Sequence, residues 1–456
     1  MQNNSQTNEM ATGSIPKLFF KLAIPAVVAQ VVNLLYNIVD RIYIGHIPET
    51  GAAALTGVGL FTAILMLITA FAMLAGTGGA PLAAIALGKN DNAHAEKIMT
   101  NSFLLLIIFS AVLTVLLYIF APTLLTMFGA SEVSLPYAVD YARIYILGIL
   151  FVLIVTGMTP FLTTQGFAKV AMMTTVIGAI INIILDPIFI FALGMGVKGA
   201  AVATVLSQAV GAVWVLRFLT GDKTILKLKK ENFKLDPTIF GPTLALGISP
   251  FLMVSTESLL SISFTTSLAK YGGDIAVGAM TILTSITMLV TMPLQGFTQG
   301  GQPIMSYNYG AGNADRVKKT FYVQLVVCLG YATLFWGLCM LFPNFFAGVF
   351  TTDSALVDYA SWAIRIYLAG VFSLGLQNCC QQSFMALGQA AISLILAFLR
   401  KLILLIPLIF ILPNFFADKV FGVFLAEPVS DIIAAAITTT VFFTQFKKIM
   451  SKAGQK

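Results

Sequence analysis

Long apolar runs dominate the chain, and short polar segments separate them. Each run is about as long as an α-helix must be to cross the hydrocarbon core, roughly 20 residues. Lipid offers the backbone no hydrogen-bond partner, so each run must be helical. The predicted helices lie near residues 17–44, 51–76, 94–121, 133–158, 162–192, 197–219, 240–269, 275–304, 316–342, 355–383, 387–413 and 418–445. The pattern therefore predicts an all-α polytopic membrane protein with twelve transmembrane helices.

The two halves of the chain resemble each other at one fixed spacing. With a shift of 222 residues, the Gly-Gly-x-Pro motif that starts at Gly78 falls on the one that starts at Gly300, and Arg143 falls on Arg365. Six helices in each half bring both halves into the membrane from the same side. We therefore expect two six-helix lobes related by a pseudo-two-fold axis along the membrane normal. The predicted divisions are an amino-terminal lobe at 1–220, an inter-lobe loop at 221–238, a carboxy-terminal lobe at 239–445 and a tail at 446–456.

Composition and charge support a membrane protein. Of the 456 residues, 58% are hydrophobic and only 10% are charged, whereas about a quarter of a soluble domain is charged. Most lysines and arginines fall in one set of loops, and the opposite loops hold Lys198, Lys270 and Lys419. By the positive-inside rule, this predicts a multi-pass plasma-membrane protein with both termini in the cytoplasm. The net charge of +7 then reflects topology, and we expect no nucleic-acid partner.

Several classes of machinery are missing from the sequence. It has no G-x-x-x-x-G-K-[ST] loop for ATP phosphates, no TVGYG filter, and no Ser-His-Asp or Cys-His grouping. All four cysteines fall in apolar runs, which does not suggest a disulfide framework. We therefore expect neither an enzyme nor a resident cofactor. A carrier driven by an ion gradient remains.

Acids and amides interrupt two of the apolar runs. Asp40 lies near the end of the first helix, and Tyr36 and Asn33 precede it by four and seven positions on the same helical face. In the fifth helix, Asn182 precedes Asp186 by four positions. At about 1.5 Å per residue, both acids should lie within roughly 10 Å of the same membrane boundary.

Hydroxyl groups of the fourth and sixth helices reach a comparable depth, namely those of Tyr141, Tyr145 and Thr204. Carboxylates, amides and hydroxyls clustered in low dielectric can hold a proton or a cation such as sodium. A structural role is also open: Asp186 could stay protonated and bond locally, and Asp40 could pair with an adjacent arginine. The shared depth and matched polar neighbours favour a functional pair, with the two acids facing each other inside the first lobe.

Other candidates lie in the second half and at prolines. Glu257 and Arg400 fall near the middle of their helices, so an ion pair with a structural or gating role is plausible. The "AEPVSD" segment is ambiguous between an interior polar site and the membrane interface. Pro25 and Pro187 each remove a backbone hydrogen bond and permit a helix to bend.

Six motifs together resemble one known family of transporters. They are "YNIVDRIYIG", "GTGGAPLAAIALGKNDNAHAEK", "NIILDPIFI", "GVKGAAVATVLSQ", "FTQGGQPIMSYNYGAGN" and "AEPVSD". The chain resembles the multidrug and toxic compound extrusion (MATE) transporters, in particular the bacterial DinF-like and MepA-like branch. The resemblance extends over nearly the whole chain.

The resemblance implies a function and a set of roles. It implies a monomeric secondary transporter that exports cationic or amphiphilic drugs, including antibiotics, in exchange for protons or sodium ions. In members with an acid in helix one and an Asn–Asp pair in helix five, these groups form a cation site. The residues that take those roles by resemblance are Asp40, Tyr36, Asn182, Asp186 and Thr204, with Pro25 as the point at which helix one bends.

Other transporter classes are alternatives. Lipid-linked oligosaccharide flippases belong to the same superfamily, but they commonly have more cationic cavities and additional helices. Major-facilitator carriers also have a six-plus-six repeat, yet their "G-x-x-x-D-R-x-G-R" loop after helix two does not match "ALGKNDNAHAEK". A receptor that binds ligand without transporting it is a third alternative.

Overall fold

The computed structural model describes residues 9–453, and every regular element in that part of the chain is helical. The first eight residues and the end of the predicted tail, 454–456, lie outside the described part. The spans are α1 Ile15–Gly45, α2 Gly51–Gly88, α3 Asn92–Met127, α4 Leu135–Leu147 with Ile149–Thr164, α5 Ala168–Ala192, α6 Val197–Thr220, α7 and α8 within Pro237–Gly310, α9 Ala314–Leu341, α10 Ser354–Ala386, α11 Ala390–Phe415 and α12 Lys419–Ala453.

The run Pro237–Gly310 contains two spans rather than one. It is 74 residues long, far more than one crossing requires. Gly273 interrupts it with φ 66° and ψ −160°, a conformation that is accessible essentially only to glycine. We assign 237–272 to α7 and 274–310 to α8. The described part of the chain thus has twelve spans, as the hydrophobic pattern predicts.

The fourth span differs from its predicted form. It was expected as one helix over 133–158, but it bends by 60° between Leu135–Leu147 and Ile149–Thr164. At the bend, a Cβ on Gly148 would overlap the side chain of Val205 in α6. The next helix begins at Ala168 instead of 162, after Gly166 turns the chain with a φ of 87°. The apolar composition continues across both breaks, so hydropathy alone could not locate them.

The two halves pack as parallel copies. A Cβ on Gly88 would overlap the carbonyl oxygen of Tyr307, and a Cβ on Gly310 would overlap the carbonyl oxygen of Ile85. The shift of 222 residues exchanges these two contacts, since Gly88 corresponds to Gly310 and Ile85 to Tyr307. A reciprocal contact of this kind lies on the pseudo-two-fold axis. We call this end of the bundle, formed by residues 85–91 and 307–313, the closed end.

The lobes also meet along the helices that lead to the closed end. Gly78 of α2 contacts the backbone of Thr243 and Gly247 in α7, and Gly300 of α8 contacts Ala23 in α1. Each lobe keeps its own buried apolar core, formed mainly by α1–α6 in one case and by α7–α12 in the other. The lobes are joined by extensive contacts of α2 with α7 and of α1 with α8.

The start of the described chain is tied to the second lobe. The Nη2 group of Arg316, in α9, donates hydrogen bonds to the carbonyl oxygens of Met10 and Gly13, each 2.9 Å long. Asn308 Nδ2 donates to the same Met10 carbonyl at 3.1 Å. Since α1 follows directly from this segment, these bonds connect the two lobes near the closed end.

The inter-lobe loop is tied to the first lobe. The Oε1 atom of Gln165 accepts hydrogen bonds from Thr224 Oγ1 at 2.8 Å and from the backbone nitrogen of Ile225 at 2.7 Å. Glu96 accepts a bond from Lys229 Nζ at 2.7 Å, and this hydrogen bond raises the pKa of Lys229. The loop is therefore anchored by polar side chains and is not a free linker.

Candidate functional site

Packing of α1 against α5 brings two carboxyl groups together inside the first lobe. Asp40 of α1 is 8% exposed, and Asp186 of α5 is fully buried. The two side chains are immediate neighbours that interact with each other. Charged groups in such surroundings are expensive unless they are paired or neutralised. The structure thus places the two predicted acids in one buried site.

Asn182 joins Asp186 to the sixth helix. Its Nδ2 atom donates to Asp186 Oδ1 at 3.2 Å and to Thr204 Oγ1 at 3.3 Å. Directly after these residues, Pro187 lacks a backbone N–H, and the helix widens into a π-helical turn over Ile188–Ala192. The local distortion therefore follows from the proline that stands next to the acid.

Aromatic side chains of α1 and α4 also line the carboxyl site. Tyr36 of α1 and Tyr141 of α4 lie next to Thr204, and Tyr145 lies near Asp40. The rings of Tyr141 and Tyr145 stack with centroids 5.9 Å apart. Sequence analysis missed Phe61, whose ring packs edge-on against Tyr141 and Tyr145 at 5.3 and 5.1 Å. Nothing in the sequence distinguishes it from the other phenylalanines of the apolar runs.

Three buried acceptor oxygens of the site have no hydrogen-bond partner within the described residues. They are Asp40 Oδ1, Asn182 Oδ1 and Asp186 Oδ2. An unsatisfied buried polar group typically costs about 1–3 kcal/mol, so three together need an explanation. Closely placed oxygen acceptors fit a proton or a small hard cation. The arrangement can therefore bind and release positive charge.

Some expected contacts are not made. Asn33 is exposed, and only its backbone carbonyl oxygen is engaged among the described contacts, accepting a 2.6 Å bond from Asn37 Nδ2. Among the described residues, no ion pair joins Asp40 to Arg41. Pro25 lies inside α1, which is assigned as one helix from Ile15 to Gly45.

The predicted ion pair between Glu257 and Arg400 is not formed, so this prediction is wrong. Glu257 pairs with Lys401, whereas Arg400 pairs with Asp431 at 2.7 Å and with Glu427 at 3.5 Å. A π-helical segment at Leu399–Leu405 changes the direction of side chains in α11, and the apolar pattern does not signal it. Because they pair with Arg400, Glu427 and Asp431 of the "AEPVSD" segment are interior groups and not interfacial ones.

Comparison with known proteins agrees with the two-fold repeat. The MatE family model matches residues 25–188 and, a second time, residues 250–411. The chain belongs to the MATE family. It is accordingly a membrane transporter and not an enzyme, and its homologues include multidrug exporters.

Two curated relatives and one solved structure illustrate the range of this MATE protein's similarities. The chain is 23% identical to the multidrug export protein MepA of Staphylococcus haemolyticus over 426 residues, 93% of each chain. It is 26% identical to the FAD transporter of Shewanella oneidensis over 437 residues, again 93% of each. A solved MOP superfamily transporter from Pyrococcus furiosus, 25% identical, matches with a TM-score of 0.90 and covers 97% of this chain and 98% of that one.

Proposed function

We propose that this MATE transporter exports cationic or amphiphilic compounds in exchange for protons that bind at Asp40 and Asp186. The observation that carries the proposal is the buried pair of neighbouring carboxyl groups, which together with Asn182 presents three unpartnered oxygens. The Lys and Arg distribution supports cytoplasmic termini. The relatives named MepA are multidrug export proteins, which supports drugs as the substrate class.

Coupling follows from competition for negative charge. Two adjacent carboxylates in low dielectric do not both ionise easily unless a cation lies between them. Proton binding from the outer side would neutralise the pair, weaken its attraction for a cationic substrate and favour release outward. Loss of the proton to the cytoplasm would restore the charge. The coupling required is typically about 1–3 kcal/mol, which a few hydrogen bonds to Asn182 and Thr204 can supply.

Alternating access would use the interface between the lobes. With cytoplasmic termini, the closed end faces the cytoplasm, so the contacts at this end would block access from the cytoplasm. Rocking would separate the reciprocal contacts of Gly88 and Gly310 while each lobe keeps its own core. Such movement of one repeat against the other is the usual form of alternating access in duplicated transporters.

The charge of the site favours cations over anions as substrates. The Shewanella relative is named an FAD transporter, and FAD carries two phosphates. The acids of the first lobe would repel such a molecule, so FAD is a suitable negative comparison. A lipid-linked oligosaccharide also carries phosphate and would be disfavoured for the same reason.

The test is efflux from proteoliposomes that contain the purified protein. Ethidium transport is measured under an imposed proton gradient in sodium-free buffer, then under a sodium gradient without a pH difference, and FAD is tried under both. Asp40→Asn and Asp186→Asn keep the shape of each side chain and remove its charge. Asp315→Asn is the matched control, because Asp315 lies on the surface with a fully exposed side chain.

We expect the proton gradient alone to drive ethidium efflux. Asp40→Asn and Asp186→Asn should each reduce the efflux rate at least ten-fold, whereas Asp315→Asn should leave it unchanged. If the sodium gradient alone drives efflux, the coupling ion is sodium and proton coupling is wrong. Transport of FAD but not ethidium would overturn the proposed substrate class. Full activity in both site variants would remove the pair from the mechanism.

A further inference from the structure

A second cluster of charged groups lies inside the second lobe. Glu257 comes from α7, Arg400 and Lys401 from α11, and Glu427 and Asp431 from α12. Four of the five side chains are at most 18% exposed, and Glu257 is the half-exposed member. The proposed exchange at Asp40 and Asp186 uses none of these residues.

The ionised cluster would have one negative charge too many. Two cations face three carboxylates, and an uncompensated buried charge is strongly unfavourable. One further positive charge, bound to a carboxylate, restores neutrality. Tyr367 of α10 also faces the cluster, but a phenol is neutral at physiological pH and does not change the balance.

The contacts identify the carboxylate with the weakest ion pair. Asp431 Oδ1 accepts a hydrogen bond from Arg400 Nε at 2.8 Å and forms an ion pair with Arg400 Nη2 at 2.7 Å. Glu257 is paired with the ammonium group of Lys401, which also donates to the Met253 carbonyl oxygen at 2.7 Å. Glu427 has only a 3.5 Å contact with Arg400. It is the least compensated of the three acids.

A small cavity beside the cluster bears on the identity of the positive charge. Its volume is about 20 Å³, enough for one water molecule. Arg400 and Lys401 line it together with Gln377, whose buried Oε1 atom has no hydrogen-bond partner within the described residues. Two cationic walls disfavour a metal ion there. The space fits one water that donates to Gln377.

We propose that Glu427 holds a proton, and that the second lobe therefore contains a proton-binding site of its own. The site goes beyond the proposed exchange in the first lobe and does not depend on it. It would make proton binding at Glu427 a condition for stable packing of α7, α11 and α12. At alkaline pH, loss of this proton would leave one net negative charge inside the lobe.

Infrared spectroscopy of the purified full-length protein tests the site directly. A protonated carboxyl group has a C=O stretching band that shifts in deuterated buffer and disappears when the proton is lost. In the double variant Asp40→Asn/Asp186→Asn, the carboxyl pair of the first lobe can contribute no such band, and Glu96 is paired with Lys229. We expect one titrating carboxyl band to remain in that variant, and Glu427→Gln on the same background to remove it.

A second variant keeps the test valid if Glu427→Gln does not fold. Lys401→Met removes one cation, so the cluster should bind one additional proton per molecule at neutral pH, and the carboxyl band should grow accordingly. Lys198→Met is the matched control, because Lys198 is a half-exposed surface lysine paired with Asp140. Absence of a carboxyl band in the double variant would overturn the proposal, as would a band that is unchanged by Glu427→Gln or by Lys401→Met. None of these readouts requires ethidium transport, so failure of the efflux mechanism would be seen separately.

Discussion

Replacing Asn182 by leucine should move the pH dependence of efflux without abolishing transport. The side chains have similar size, so the change mainly removes the amide. Asn182 donates bonds of 3.2 Å to Asp186 and 3.3 Å to Thr204. The first bond stabilises the ionised carboxylate more than the protonated acid, because a charged acceptor binds a donor more strongly. Without it, Asp186 should retain its proton at a higher pH.

The size of the shift follows from the difference between the two bonds. A hydrogen bond to a charged group contributes about 1.5–3 kcal/mol, and one between neutral groups about 0.5–1.5 kcal/mol. The bond to Asp186 is long, so we take a difference of about 1 kcal/mol. At 1.36 kcal/mol per unit, the pH of half-maximal efflux should rise by about 0.7 unit.

The assay is ethidium efflux from proteoliposomes at a constant pH difference, with the internal pH varied. Asn37→Leu is the control, since the Asn37 amide bonds only to the backbone carbonyl of Asn33 among the described contacts. Its profile should stay in place. A profile for Asn182→Leu that does not move, or that moves toward acidic pH while efflux continues, would refute the role of Asn182 at the carboxyl pair.

Three further changes test the architecture. Gly88→Ala should disfavour the conformation closed at this end, because a methyl group would overlap the Tyr307 carbonyl oxygen, and cross-linking across the closed end should fall. Arg316→Ala removes two 2.9 Å bonds to the start of the chain and should lower the thermal unfolding midpoint by a few degrees in a fluorescence melt; an unchanged midpoint would contradict the tie. Glu96→Gln should weaken the bond to Lys229 and speed tryptic cleavage of the inter-lobe loop several-fold, whereas equal cleavage rates would show that Glu96 does not anchor it.

The sequence was informative wherever one strong constraint acts on a whole segment. Lipid forces long apolar runs to be helices, so the number and approximate limits of the spans followed from composition. The repeat at 222 residues predicted parallel halves, which the reciprocal contacts of Gly88 and Gly310 confirm. Acids inside apolar runs are rare enough that Asp40 and Asp186 could be singled out as candidates.

Tertiary structure decided what depends on side-chain direction. The bend at Gly148 and the π-helical segment at Leu399–Leu405 change neither the hydropathy nor the length of an apolar run, so the apolar pattern cannot predict them. Within this segment Lys401, and not Arg400, pairs with Glu257. Phe61 likewise became part of the first site only through packing. The sequence determined which segments cross the membrane and which polar groups they carry, because burial in lipid acts on each segment separately. The contact partners of those polar groups were decided by the tertiary structure, because they depend on the rotation of each helix against its neighbours.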